Sequence, residues 1–534
     1  MNASRCSECG TLSSSGPHAE DAFMAAPGTR HHALFTTNEP PEPSEIPFIQ
    51  SVISKADARI ACLDDEISRI QEKLKKLEEE RASLSSYRMR NRSILSPLRR
   101  MPPEVLGEIF WWTLPSLASQ LDRRGFDTTN SPWVLTQISS SWRAISIATS
   151  SLWSRVIIDY SETRDPSSAY PLPLAEAQIH RAQVLKIHFY GSETADSRPQ
   201  IQMFQLLSQH CSRWEELSLG LTSVLIPLLI SLRGQFASLQ RLWLEWSDLA
   251  NQAAVQPIDC FESASSLVEF GAFNEYHVVP IALPIHQLTC FQMYLPWKEY
   301  GRILRHTFNL VEARLVIASH DSDPWPDTDE TIHLLQLRHL YVSDSKILDY
   351  LKTPALVGLA LDVGENEEAD HILQHLDPFA ARSACLLRRL SLSGFPDART
   401  ATQMLQKLPF ITELTITIED SSARFGINLL MSDLTVSQFP ERTVVAPQLR
   451  CMFFGCESES FFNYGQYLRM LESRWRAPNC ALKAAALLTE VHGPDSATLR
   501  GLHALSQQGL DFWVVEGHEA RIAMKPWYYA VRWN

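Results

Sequence analysis

The side chains best suited to catalysis or metal binding are too scattered in this sequence to predict an active site. Cys6 and Cys9 have the spacing of zinc ligands, but zinc needs four ligands and no second pair follows at zinc-finger spacing. His371 and His375 lie four residues apart in an acidic stretch, which is typical of a solvated helix or loop. The sequence has no phosphate-binding loop, dinucleotide-binding glycine pattern, paired-histidine zinc helix or nucleophile elbow. We therefore expect no enzymatic activity, no bound metal and no cofactor.

Two short amphipathic helices are predicted between residues 95 and 157. Pro102 and Pro103 fit the first turn of a helix, where no intrahelical N–H bond is lost. Apolar side chains then recur on one helix face over 102–113 and again over 133–148. Because two short helices cannot bury both apolar faces alone, they need a third helix or a protein partner. The residues expected at this contact are Pro102, Val105, Leu106, Ile109, Phe110, Val134, Leu135, Ile138 and Trp142.

The order of these features resembles an F-box. The proline pair and the first helix are followed by Trp133, the Trp142–Arg143 pair and Trp153, in the order typical of that family. The resemblance implies that the residues of the contact bind a Skp-type adaptor and, through it, a cullin. The alternative is a small structural helical hairpin, which could show the same apolar pattern.

A heptad repeat over residues 53–92 precedes these helices. Apolar residues recur every seven positions in two series set three positions apart, as at the a and d positions of a coiled coil. We expect a coiled coil that forms a homodimer or serves as a spacer. The alternative is one amphipathic helix folded back on the rest of the protein. The two series are Ile53, Ile60, Ile67 and Leu74, and Leu63, Ile70, Leu77 and Leu84.

After residue 160 a pattern of apolar, two variable, apolar, one variable and apolar residues recurs eleven times, as at 239–244 and 387–392. The middle apolar positions run from Leu185 to Met452 and lie about 27 residues apart on average, within the range of leucine-rich repeats. Predicted helical segments such as 201–207 and 402–408 separate them. The pattern resembles the irregular leucine-rich repeats that follow F-boxes, which build a solenoid. The alternative is an ordinary α/β domain with leucine-rich strands.

Side chains alternate along a strand, so the residues between the repeat leucines should share the other face of the sheet. Several of them are Trp, Tyr or Arg, the residue types that dominate binding hot spots. We expect these side chains to be exposed and to bind a client protein. They are Arg241, Trp243, Tyr294, Arg314, Tyr341, Arg389 and Phe453.

Composition limits the possible partners. The chain has 534 residues, 45% of them hydrophobic and 20% charged, as in globular proteins. A net charge of −13 argues against nucleic acid, which needs a basic surface. No apolar run is long enough to span a membrane, and the first residues lack a secretory signal. Ten scattered cysteines are typical of reduced thiols, so we expect a cytoplasmic or nuclear protein.

Together these features predict an α/β protein in five parts. They are a disordered tail (1–52), a coiled coil (53–92), an F-box-like helical domain (95–157), irregular leucine-rich repeats (175–480) and a C-terminal cap (481–534). This order is similar to that of F-box-like proteins expanded in mushroom-forming fungi. The resemblance implies a substrate receptor of a ubiquitin ligase. The alternative is a coiled-coil and repeat scaffold that does not assemble a ligase.

Overall fold

A computed structural model describes the chain as two compact units, residues 1–102 and residues 103–534. Cys6, Cys9 and the aromatic segment 527–533 lie outside the described residues. The residues described are 4–5, 12–13, 27–115, 128–160, 171–246, 257–274, 279–317, 331–363, 369–394, 397–418, 426–436, 444–456, 462–490 and 493–524.

The first unit is dominated by one long helix. A short antiparallel pair, β1 (Ser4–Arg5) and β2 (Leu12–Ser13), and helix α1 (Arg30–Thr36) precede it. The long helix, α2, spans Ile46–Ile94, or 49 residues. A 3-10 turn at Pro97–Arg100 follows it. The helix predicted over 53–92 is thus confirmed, and it begins seven residues earlier.

Helical structure also occurs in the segment 1–52, where the composition predicted disorder. Thr29 caps α1 by accepting a hydrogen bond from the backbone N–H of His32, which composition alone does not reveal. The His31 ring contacts the Phe48 ring at 5.4 Å, so α1 packs against the start of α2. The prediction of a disordered tail was therefore wrong for residues 30–36 and 46–52.

The second unit is mixed α/β and contains a long parallel sheet. Its remaining helices, which bring the described part of the chain to 15 α-helices, are connected by loops and 3-10 turns. These helices are α3 (Pro103–Trp112), α4 (Leu135–Ile138), α5 (Ser140–Ala148), α6 (Leu172–Arg181), α7 (Ser197–Ser208), α8 (Leu225–Ile230), α9 (Trp297–Leu304), α10 (Ala369–Ser383), α11 (Ala398–Lys407), α12 (Gly426–Leu434), α13 (Tyr464–Arg476), α14 (Ser496–Gln507) and α15 (Gly517–Met524).

Fourteen strands form this sheet, and they lie side by side in the order in which they occur along the chain. Two other strands form a separate parallel pair. That pair is β10 (Ile332–His333) and β12 (Leu351–Lys352). The sheet strands are β3 (Arg155–Asp159), β4 (Leu185–Tyr190), β5 (Trp214–Gly220), β6 (Arg241–Trp246), β7 (Glu269–Asn274), β8 (Cys290–Leu295), β9 (Glu312–Ile317), β11 (His339–Val342), β13 (Gly358–Asp362), β14 (Arg389–Ser393), β15 (Glu413–Ile418), β16 (Cys451–Cys456), β17 (Ala484–Thr489) and β18 (Asp511–Glu516).

One row of apolar side chains crosses the sheet and defines what we call its anchor face. The strand pairings align ten of the eleven predicted middle positions, and all ten are buried. At β4, however, the residue aligned with Leu217 is Ile187, so the prediction of Leu185 was wrong. The register between β4 and β5 shifts between Leu185 and Lys186, and such an irregularity cannot be predicted from spacing.

Helices cover the anchor face through aromatic contacts. Phe204 of α7 lies edge-on to Phe189 of β4, with ring centroids 5.6 Å apart. Tyr467 of α13 meets Phe454 of β16 in the same way, at 5.4 Å. The helix predicted at 201–207 is confirmed as part of α7, and the one predicted at 402–408 as part of α11, which ends one residue earlier, at Lys407.

The C-terminal part of the second unit continues the sheet. The segment predicted as a cap contributes two more parallel strands, β17 and β18, before helix α15. Gly455 of β16 has no Cβ, and a Cβ built there would lie 2.5 Å from the sulfur of Met524 in α15. The final helix therefore lies against β16 where a side chain is missing. No helix among the described residues is both long enough and apolar enough to cross a membrane.

A buried arginine joins α12, α13 and the loop before β16. Arg474 is almost fully buried and donates hydrogen bonds to the carbonyls of Leu434, Val445 and Ala446. Ala446 has a φ of 45°, a left-handed conformation that is unfavourable for a residue with a side chain. The guanidinium thus satisfies three carbonyls and fixes a strained turn.

We predict that Arg474→Met lowers the free energy of unfolding by about 3 kcal/mol, because buried carbonyls lose their donors. Arg469→Met is the matched control, since Arg469 is exposed on the same helix, and its effect should stay within about 0.5 kcal/mol. Urea unfolding followed by circular dichroism measures both. Equal stability of the two variants would contradict the structural role of Arg474.

Candidate functional site

Helix α3 presents one face to the protein and one to solvent. Pro103 is its first residue and Glu104 lies in its first turn, near the positive end of the helix dipole. Leu106 and Phe110 are buried. Gly107 lies between them, and a Cβ there would approach the Thr149 hydroxyl to 3.3 Å, so glycine allows close packing. The helix predicted over 102–113 is confirmed within a residue at each end.

The second predicted helix, 133–148, is instead two helices. The chain breaks at Ser139, whose backbone is extended and whose hydroxyl accepts a hydrogen bond from the N–H of Trp142. Serine is a strong N-cap residue, which explains why α5 starts anew at this position. Arg143 bridges the break by donating from Nε to the carbonyl of Thr136 at 2.6 Å. The expected continuous helix was therefore wrong.

Aromatic contacts close the interior of this helical cluster, defined as α3, α4, α5 and the 3-10 turn Ser150–Trp153. The rings of Phe110 and Trp142 lie 4.7 Å apart, and those of Trp133 and Trp153 lie 5.0 Å apart at nearly right angles. Trp153 is fully buried and donates from its indole nitrogen to the carbonyl of Ser146 at 2.7 Å. Of the tryptophans that carried the family resemblance, Trp153 thus lies inside the cluster, and Trp133 and Trp142 are half-buried.

The helical cluster and the sheet share one core. Arg181 of α6 stacks over the Trp153 ring at 4.3 Å. Gln178 of the same helix is buried, and its amide donates to the carbonyls of Trp153 and Arg155. Because Arg155 begins β3, these bonds tie the last turn of the cluster to the first strand of the sheet.

The nine predicted contact residues divide by exposure. Leu106, Phe110 and Leu135 are buried inside the second unit and are not available to a partner. Val134 and Trp142 are half-buried. The exposed ones are Pro102, Val105, Ile109 and Ile138.

Sequence reasoning missed two exposed aromatic residues at the end of α3, Trp111 and Trp112. Trp112 is 78% exposed and lies seven residues after Val105 and three after Ile109. Residues with this spacing lie on one side of a helix. We call Val105, Ile109 and Trp112 the α3 stripe. The sequence already contained this stripe as apolar residues at i, i+4 and i+7. They lie on a different side of the helix from the buried Leu106 and Phe110.

The face of the sheet opposite to the anchor face carries all seven predicted client-binding residues. Trp243, Arg314, Tyr341 and Phe453 lie in one row across the strands, as the strand pairings show. Arg241 and Arg389 lie in the row two residues before it, and Tyr294 lies in the row two residues after it. The predicted alternation of side chains along each strand is therefore confirmed.

The exposure expected for the seven predicted client-binding residues was partly wrong. Trp243, Arg314 and Tyr341 are only 3%, 5% and 7% exposed. The Arg314 guanidinium stacks over the Tyr341 ring at 4.0 Å, and the Tyr341 hydroxyl donates to Asp362 at 2.8 Å. Strands of a sheet are about 4.8 Å apart, so large side chains in one row cover one another.

The other predicted residues remain more accessible. Arg241, Tyr294 and Phe453 are half-buried, and Arg389 is exposed. These four, and not the three buried residues, are available for contact without rearrangement of the sheet.

An ion-pair network crosses four neighbouring strands on this opposite face. Glu216 is buried and accepts hydrogen bonds from Lys186 at 2.7 Å and Arg241 at 2.8 Å. Arg241 also pairs with Glu269 at 3.3 Å. Burial raises the pKa of Glu269, while the neighbouring Arg241 opposes that rise. Arg241 is thus engaged within the sheet, which reduces its value for binding a partner.

A cavity of about 980 Å³ opens where the sheet strands β11, β13, β14, β15 and β16 begin. Four arginines line it, at positions 338, 388, 389 and 450, together with His339. Glu413 also lines the cavity and pairs with Arg389 at 2.7 Å. Leu386 and Phe410, which are 59% and 60% exposed, add apolar surface. We call this the arginine cavity, and Arg389 is the predicted client residue that lines it.

Within the part of the chain that the structure describes, no group of three or more His, Cys, Asp and Glu side chains is arranged to hold a metal ion. His375 of α10 makes a local polar contact, since its ring nitrogen Nδ1 lies 2.7 Å from the carboxylate of Asp349. Cys456, at the end of β16, is buried in the core.

No protein-family model matches the chain, and no curated protein is similar to it in sequence. Among solved structures, the chain is similar to a crystal structure of a protein from Bacteroides fragilis, with 11% sequence identity. The match covers 61% of this chain and 84% of that one, with a TM-score of 0.28. A similarity this weak carries no inference about function.

The opposite face also contains a buried histidine that should make stability depend on pH. His188 aligns with Ser218 in the row of Trp243. Burial, with Arg155 and Lys186 nearby, lowers the pKa of His188 to about 3 from the ordinary histidine value of 6.5. Between these values the unfolded chain takes up a proton that the folded chain does not. Stability present above pH 6.5 is therefore lost as the pH falls through this window.

We predict that the wild-type protein loses up to about 1.4 kcal/mol of stability per pH unit below pH 6.5 through this residue alone. His188→Leu should flatten this part of the pH dependence because leucine takes up no proton. Thermal unfolding midpoints measured from pH 7.5 to 5.0 test it. Identical slopes for the two proteins would contradict the assignment to His188.

Proposed function

We propose that this chain is the substrate-receptor subunit of a Skp–cullin–F-box type ubiquitin ligase. The observation that carries the proposal is an exposed apolar stripe on a helical cluster whose core is continuous with a long parallel sheet. The cluster would bind a Skp-type adaptor, and the sheet region would bind a client protein. The chain itself would supply no catalytic group, and we infer a cytoplasmic or nuclear location.

We interpret the sheet as a solenoid of irregular leucine-rich repeats. Three observations support this: the strands are parallel, they follow one another in chain order, and each contributes to one apolar row. An α/β domain that binds nucleotides usually reverses its strand order at a switch point. A repeat array instead adds each unit beside the previous one, as the strands do here.

The α3 stripe is the part of the cluster that we assign to the adaptor. Val105, Ile109 and Trp112 expose apolar surface on one side of α3, and Ile138 adds an exposed apolar side chain in α4. Large apolar residues on an exposed helix face gain free energy when a partner's groove covers them. The buried Leu106, Phe110 and Leu135 would act indirectly, by holding the helices in place.

The client would bind near the arginine cavity. Its arginines stand out in a chain of net charge −13, and arginine pairs well with carboxylates in two-point contacts. Leu386 and Phe410 offer apolar contacts beside these charges. The matching partner is a protein segment with acidic side chains next to an apolar one.

Ubiquitin transfer would then depend on proximity, since binding holds the client near the charged enzyme of the complex. The alternative is a scaffold that uses α2 and the sheet for binding but assembles no ligase. The long exposed helix α2 is compatible with both functions. Recovery of a Skp-type adaptor with the purified protein distinguishes them.

We predict that Val105→Asp combined with Ile109→Asp weakens adaptor binding about tenfold or more, because charges would be placed in an apolar contact. Both residues are exposed, so the thermal midpoint should stay close to that of the wild type. Glu108→Gln, on the exposed side of the same helix, is the control and should bind normally. Affinity is measured by calorimetry with a purified Skp-type adaptor. Absence of adaptor binding by the folded wild-type protein would contradict the ligase proposal and favour the scaffold.

We predict that Arg388→Glu combined with Arg450→Glu reduces client capture at least about tenfold and leaves adaptor binding intact, because a cationic surface becomes anionic. Arg399→Glu with Arg500→Glu makes the same charge change at exposed sites outside the cavity lining. Proximity labelling in cells and binding to arrays of acidic peptides measure capture. Equal losses in both double variants would show a general charge effect and no client site at the cavity.

A further inference from the structure

Helix α2 carries an apolar stripe that the described residues do not cover. All 49 residues of α2 belong to the described part of the chain, and none of its side chains is buried. The eight large apolar residues at a and d positions between 53 and 84 are each 40–61% exposed. A stripe with heptad spacing over more than four heptads is unusual on a solvated surface and is typical of a coiled-coil seam.

The residue types on the stripe favour two strands. Three successive a positions hold isoleucine, at 53, 60 and 67, and three d positions hold leucine, at 63, 77 and 84. β-branched residues at a with leucine at d pack best in parallel two-stranded coils. Leucine occupies the next a position, 74, and arginine occupies the two a positions after it, 81 and 88, so the apolar seam ends with Leu84.

The charges beside the stripe favour a parallel arrangement. In a parallel pair, each g residue faces the e residue five positions later on the other helix. Arg59 then faces Asp64, and Lys73 faces Glu78, so both charged pairs are attractive. In an antiparallel pair, e positions face e positions and g positions face g positions instead. The g residues Arg59, Glu66, Lys73 and Glu80 would then still attract one another. The e residues Asp57, Asp64, Gln71 and Glu78 include no cation, however, and would repel, which leaves the parallel pair as the one without a repulsive contact.

From these observations we infer that residues 53–84 bind a second copy of this chain as a parallel, in-register, two-stranded coiled coil. The occupant of the stripe is the same stripe on the partner chain. The inference is independent of the proposed ligase function, because it rests on α2 alone. It would also hold for a scaffold protein.

Arg81 gives the pairing a defined register. In the in-register pair it faces Arg81 of the other chain at the same a position, and each of these arginines lies next to Glu80 at the preceding g position of the other chain. A shift by one heptad would place the guanidinium against Leu74 and beside Lys73, where a cation would lose water without gaining an anionic partner. The charged a position within 53–84 thus disfavours shifted pairings.

The first test is the mass of the full-length protein by analytical ultracentrifugation. We expect 121 kDa, twice the 60.5 kDa of one chain. Ile60→Asp combined with Ile67→Asp should give the monomer mass with an unchanged unfolding transition of the second unit. Ala58→Asp with Ala61→Asp places the same charges at exposed f and b positions and should stay dimeric. A monomeric or trimeric wild-type protein would overturn the inference, and the monomer would favour a helix folded back on its own chain.

Orientation is tested by disulfide cross-linking. Leu77→Cys places a thiol at a d position, where two parallel in-register helices bring the pair together. Oxidation should convert at least half of this variant to a covalent dimer. Glu79→Cys, at an outward f position, and the wild type with its own ten cysteines provide the baseline. A cross-linking yield of Leu77→Cys no higher than this baseline would contradict the parallel arrangement.

Exchange of the flanking charges tests the same arrangement without cysteines. Asp64→Arg with Glu78→Lys makes every charged g–e pair of a homodimer repulsive, and so does Arg59→Glu with Lys73→Glu. Mixed together, the two variants should form a heterodimer, since all their cross pairs are attractive. We expect the heterodimer to be favoured over either homodimer by at least tenfold. A statistical mixture of species would contradict the proposed pairing.

Discussion

The second unit depends on the register of its parallel strands. Each strand hydrogen-bonds to the next one along the chain, so the position of one apolar anchor fixes the position of the next. The anchors therefore form one buried row even where a strand has Ala313 or Met452 in place of leucine. A strand with a weak anchor is tolerated because its two neighbouring strands hold its backbone in place. This explains how a sheet of fourteen strands arises although the strands are unevenly spaced along the chain.

The same register limits what the opposite face can do. Large side chains aligned in one row are only one strand spacing apart, and they bury each other as the anchors do. Trp243 and Tyr341 thereby become part of the packing of the sheet, and Glu216 is neutralised by cations on both neighbouring strands. Exposed charged side chains occur just before the strands begin, where the aligned rows of side chains end. There the side chains of Arg388 and Arg450 are exposed. The proposed client site is therefore placed at the start of the strands and not in the middle of the sheet.

Periodic features of the fold could be predicted from the sequence, whereas single contacts could not. The heptads of α2, the first helix of the cluster and ten repeat anchors follow from spacing alone, because burial of apolar side chains determines each of them. The register shift at Leu185 and the helix break at Ser139 depend on local backbone hydrogen bonds, which spacing does not encode. In the candidate site, alternation along a strand correctly assigned seven residues to one face. It could not reveal that Arg314 and Tyr341 cover each other, because this depends on the neighbouring strand.

The core shared by the helical cluster and the sheet gives the proposed function its geometry. Trp153, Gln178 and Arg181 connect α5 and its following turn to β3 through buried hydrogen bonds and a stacked guanidinium. A partner on the α3 stripe and a client at the arginine cavity would therefore both bind the same compact unit, as catalysis by proximity requires. Pairing through α2 would bring in a second copy of the chain. Two receptors joined in this way could hold a client with two recognition segments more tightly than either receptor alone.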